Sequence, residues 1–133
     1  MRDISKILTN FKKAIETMEL AEITIFYAEL RSILHQLNRQ VINTYTKQMT
    51  KEDFFLQSDY YTELGKSLIN TLEQCKASIP TDKQSVHSGI ITYNVNEITS
   101  LTTEFMANFL QKQLEVMKRI HLSASETTKN SHQ

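Results

Sequence analysis

Four histidines, one cysteine and a few adjacent carboxylates are the residues here with chemistry to offer. His35, His87, His121 and His132 stand far apart. Helical metal sites hold their ligands at one-turn spacing, as in His-Glu-x-x-His or Glu-x-x-His. Neither pattern occurs, so no metal and no cofactor is expected. Cys75 sits among apolar residues at helical spacing. A reactive thiol needs access and nearby positive charge, so a buried, inert cysteine is the expectation. Glu52 and Asp53 follow Thr50, where capping of a helix start explains them. Two isolated glycines, Gly65 and Gly89, cannot form a phosphate-cradling loop. This set predicts no catalytic residue and no enzyme.

Charge narrows the partners. Fifteen basic and fifteen acidic residues balance, and no stretch is a polycation. A nucleic-acid binder needs clustered Lys and Arg to neutralise phosphates, so none is expected. A single cysteine excludes an internal disulfide and suits a reducing compartment. The start, Met1-Arg2-Asp3-Ile4-Ser5, lacks the apolar core of a signal peptide. No run reaches the ~18 apolar residues of a spanning helix. The expected location is cytoplasmic.

The elements that must position these residues are helices. Only Gly65, Pro80 and Gly89 could break one in 133 residues. Apolar residues fall at Ile4, Leu8, Phe11, Ile15 and Met18, one face of a helix. The series resumes at Ile23, Phe26, Leu30, Ile33, Leu37, Val41 and Tyr45, after a step of five. Either one helix spans residues 4–49, ~69 Å at 1.5 Å per residue, or it breaks near residues 18–22. Ala14, Ala21 and Ala28 recur every seven residues across that point and favour continuity.

Thr50 reads as a fresh cap, and Ser58-Asp59 as a second, so residues 50–58 form a short turn of helix or a corner. Tyr61, Leu64, Leu68, Leu72, Cys75 and Ile79 then mark a third stripe. Gly65 within it suggests close backbone packing. Pro80 ends it, and Thr81 with Gln84 makes a capping-box pattern. The last stripe runs Ile98, Leu101, Phe105, Phe109, Val116 and Ile120. Residues 123–133 are polar and read as a disordered tail, leaving 1–122 as one domain.

Residues 84–111 carry only two charges, Glu97 and Glu104. Their Ser, Thr, Asn and Gln either pack inside a bundle or form a face that meets another surface, where charge would be costly to bury.

Tyr61-Thr62-Glu63-Leu64-Gly65, followed by Asp82-Lys83-Gln84-Ser85-Val86, resembles the phasins, helical proteins that coat bacterial polyhydroxyalkanoate granules. The similarity covers about residues 40–122. Phasins are often Ala-rich, whereas this chain has six alanines, and the first forty residues have no counterpart. The resemblance implies a hinge at Pro80, Asp82, Gln84 and Ser85. It also implies binding of a hydrophobic granule surface through an apolar helix face, placed here at Ile98, Leu101, Phe105, Phe109 and Val116. The alternative is a helical protein-binding module, such as a secretion chaperone, adaptor or immunity protein. Either way the fold is all-α: an elongated bundle of three long amphipathic helices, four if the first breaks, and a homo-oligomer is expected.

Overall fold

The computed structural model describes residues 3–46, 48–80 and 86–131, with side chains as far as residue 121. Among these there are four helices and no strand: α1 (Ile4–Glu16), α2 (Leu20–Thr44), α3 (Lys51–Ser78) and α4 (Val86–Ser131). The fold is an all-α bundle.

The first long stripe is two helices, so the continuous reading is overturned. The Met18 amide donates to the Ile15 carbonyl at 3.2 Å, and the Glu19 amide to Ala14 at 3.0 Å. This pair of bonds is the Schellman motif that closes a helix C-terminus. Its central residue must be left-handed, and Met18 has φ 59°. Glycine usually takes that place, so no breaker residue announced the turn. The five-residue step between Met18 and Ile23 was its trace. Ala14 is buried in the core, but Ala21 and Ala28 are exposed, so the three alanines do not mark one continuous face.

Side chains cap two of the helix starts. Asp3 caps α1, its Oδ1 accepting from the Ser5 amide at 3.0 Å and the Lys6 amide at 3.3 Å. Thr50 Oγ1 accepts from the Asp53 amide at 3.1 Å. From there α3 runs unbroken to Ser78, so the expected corner at residues 50–58 is absent. Ser58 is buried and hydrogen-bonded to Tyr45 across the fold at 3.0 Å rather than capping a helix. The capping box at Thr81 and Gln84 lies outside the described residues. The backbone of α4 continues helically to Ser131, through most of the segment read as a disordered tail.

Packing order differs from sequence order. α2 packs on α1 and α4, and α3 packs on α1 and α4. Asn38 bonds Asn108 at 2.9 Å and Met49 meets Arg119, so α2 and α4 run parallel. Gly65 faces Met106, and Tyr61 faces Phe105 and Phe109, so α3 and α4 are antiparallel. α1 lies beside α3 and is the shortest helix.

The core is one apolar cluster fed by all four helices. At one end it becomes aromatic. Tyr45 lies 6.1 Å from Phe54 and 5.9 Å from Phe109, ring centre to ring centre. Tyr61 lies 5.5 Å from Phe109. Such pairs add about 0.5–1.5 kcal/mol each beyond area burial. Arg119 Nη2 donates to the Met49 carbonyl at 2.7 Å, tying α4 to the connection that leaves this end.

Candidate interaction surface

The residues with chemical potential are dispersed. His35, His87 and His121 are exposed on separate stretches of helix; His132 lies outside the described residues. Among the described residues, no three His, Cys, Asp or Glu side chains converge as a metal site would require. Cys75 is fully buried on α3, and burial pushes its thiol up to about 11. Glu52 and Asp53 occupy the exposed first turn of α3. Tyr61 is buried with its hydroxyl beside Thr44, without a well-formed hydrogen bond.

The face assigned to surface binding is interior. Ile98, Phe105, Phe109 and Val116 are buried and Leu101 is half-buried against the same core. The clearest stripe on α4 is apolar because it faces the shared core, where α2 and α3 pack on it. In the closed bundle these residues touch no external surface, which corrects the assignment. Pro80 is exposed just after α3. The other hinge residues, Asp82, Gln84 and Ser85, lie outside the described residues.

The charge-poor stretch divides in the same way. Ser88, Asn94 and Thr102 are buried. Thr102 donates to the Ile98 carbonyl at 2.8 Å within its own helix. Interior packing, where a charge would be costly, accounts for these three positions, whereas Thr92, Asn96, Ser100, Thr103 and Gln111 are exposed.

A different apolar surface faces outward. Phe55, Leu56 and Tyr60 on α3, with Leu110, Leu114 and Met117 on α4, are between 46% and 67% exposed. Counting from the Gly65–Met106 and Tyr61–Phe109 contacts, Phe55, Leu56 and Tyr60 come level with residues 110–117. Leu110, Leu114 and Met117 share the outer face of α4, with Phe55 level with them, whereas Leu56 and Tyr60 turn toward α1. There a groove of about 490 Å³ runs between α1 and α3, lined by Ser5, Leu56, Tyr60 and Leu64. Contiguous patches of this kind mark interaction sites more often than scattered exposed residues do. The signal lay in the sequence: Leu110, Leu114 and Met117 are spaced as one helix face. The stronger stripe on the opposite side of α4 masked it.

Comparison with protein families, characterised proteins and solved structures returns no match. Among the described residues, no helix is long and apolar enough to cross a membrane.

Proposed function

We propose that this chain is a non-catalytic docking protein that binds a protein partner through the outer apolar patch of α3 and α4. The observation that carries the reading is the row of Leu110, Leu114 and Met117 on the outer face of α4, with Phe55 of α3 at the same level, all about half exposed. Two packed helices offer ridges and a groove suited to an amphipathic partner helix. Lys118, one residue beyond Met117 on α4, and Glu52, one turn before Phe55 on α3, are both exposed. A compact apolar centre with a charged rim matches a protein interface better than an extended hydrophobic surface.

The test compares the wild-type chain with Leu114→Asp. Both are incubated with host extract and with oil droplets, then separated by size and by flotation. A stoichiometric protein complex that Leu114→Asp abolishes, with no retention on droplets, is expected. Equal behaviour of the two proteins in the extract would overturn the reading.

The second reading is the phasin-like one, adsorption to hydrophobic granules. Its support is the interior face of α4, where Ser88, Asn94 and Thr102 interrupt the apolar stripe. Burying polar groups weakens a core, so α4 is suited to leave it. This reading requires the bundle to open on the surface. Cys75, buried when closed, would then react rapidly with a thiol reagent in the presence of granules. A Cys75 that stays protected on granules would exclude it.

A further inference from the structure

We infer that this chain forms a two-fold dimer by exchanging α1: the turn at Met18 opens into a continuous α1–α2 helix, and each copy's α1 docks in the other's bundle. The inference is independent of the outer surface of α4.

The turn is short and strained. Only Thr17, Met18 and Glu19 separate α1 from α2. Met18 closes it at φ 59°, where a side chain is disfavoured and glycine is usual. α2 then starts at Glu19 with no side-chain cap, so its first amides gain no acceptor from that residue. The stretch Glu16-Thr17-Met18-Glu19-Leu20 holds neither Gly nor Pro, and every residue in it is tolerable in a helix. Straightening the stretch relieves Met18 and gives those amides the carbonyls of the preceding turn. Short hinges under strain favour exchange of this kind.

The packing of α1 names the partner. It turns Ile4, Ile7, Leu8, Phe11, Ala14 and Ile15 inward, against α2 and α3. A freed α1 exposes this face and its slot together, at a cost in buried apolar area. The slot of a second copy fits the same face residue for residue, so exchange restores every contact.

The geometry permits it. Asn10 and Lys13 lie beside Glu22 and Phe26, so α1 folds back antiparallel to α2. A continuous helix over residues 4–44 measures about 62 Å. Two such helices set antiparallel, with the two-fold axis at Met18, lay each α1 along the other copy's α2. The contact and its direction are those of the closed chain. The phase step between Met18 and Ile23 suits this arrangement, since α1 then faces the second copy and α2 its own bundle.

The experiment is refolding of the full chain from urea at about 5 µM and about 500 µM, followed by size-exclusion chromatography with light scattering. A dimer that grows with refolding concentration is expected. It should persist for hours after dilution, because each α1 must leave its slot before the copies part. Met18→Ile disfavours the closed turn and should raise the association constant about tenfold or more. Met18→Gly relieves the turn and weakens the straight helix, and should lower the constant by about tenfold or more. Circular dichroism establishes that both variants are folded. A direct reading comes from Ser5→Cys with Ser32→Cys, both at exposed positions. Spin labels are attached to the folded protein, where Cys75 is buried, and the labelled chain is refolded with excess unlabelled chain. Within one chain the two labels are level in the closed form and about 40 Å apart in the open one. The dimer should show the long distance and the monomer the short one. A chain that stays monomeric after refolding at the higher concentration overturns the inference. So does a dimer that keeps the short distance, or one equally populated by Met18→Ile and Met18→Gly.

Discussion

Met106 Sδ occupies the space on α3 that the Cβ of any residue other than glycine at position 65 would need. A Cβ built there would also lie 2.6 Å from Met106 Cε. The sequence suggested that Gly65 admits a neighbouring backbone; it admits a flexible side chain instead. Glycine inside a helix costs about 1 kcal/mol relative to alanine, and here that cost is offset by methionine packing. Gly65→Ala should therefore gain little in the wild-type background. With Met106→Ala already present, it should stabilise by about 1 kcal/mol. Urea unfolding of the four proteins measures the coupling, and equal effects of Gly65→Ala in both backgrounds would refute it.

Met18 distinguishes two helices from one. At positive φ a β-branched residue is strongly disfavoured, whereas glycine is at ease. Met18→Ile should cost about 1–2 kcal/mol, and Met18→Gly should be tolerated to within about 0.5 kcal/mol. A continuous helix would invert that order, with glycine the worse by about 1 kcal/mol. Thermal and urea denaturation of both variants decide the point.

The Tyr45 hydroxyl and Ser58 Oγ form a buried hydrogen bond of 3.0 Å. Removing either partner strands the other in the aromatic end of the core. Tyr45→Phe and Ser58→Ala should each cost about 1–2 kcal/mol. The double variant should cost clearly less than the two singles added together, since it leaves no orphaned group. Additive losses would show that the bond contributes nothing.

Cys75 makes stability depend on pH in the alkaline range. Burial lifts its thiol from 9.0 to about 11, so the folded state favours the protonated form. A group raised on folding contributes stability that is full below its unfolded pKa and lost as pH rises through the folded value. Wild type should therefore lose stability between about pH 9 and 11 relative to Cys75→Ala. Parallel pH profiles of the two proteins would contradict this. The thiol should also resist alkylation at neutral pH until the protein unfolds.

Much of the fold was legible because apolar spacing reports which side of a helix is dry. Phe11, Ile15, Leu30, Leu37, Leu68 and Leu72 lie on the stripes read from the sequence and are buried. The break at Met18 was legible only as a phase step. Its turn uses backbone hydrogen bonds and a left-handed methionine, and neither has a residue signature. The candidate site was misread for a related reason. A stripe such as Ile98, Phe105 and Phe109 reveals that something apolar covers it, but not whether that cover is another helix or another molecule. Periodicity is a property of one helix, whereas coverage belongs to the arrangement of all of them.

The sequence by itself therefore determined that the chain is helical, where most helix faces turn inward, and that Thr50 caps α3. The tertiary structure decided that α2 neighbours α4 rather than α3, that Met106 fills the place beside Gly65, and that the assigned binding face is core. It also decided that Phe55 comes level with Leu110, Leu114 and Met117 on the outside. Helix formation depends on residues three and four apart in the chain. That patch depends on the register between two helices about fifty residues apart, which only packing sets.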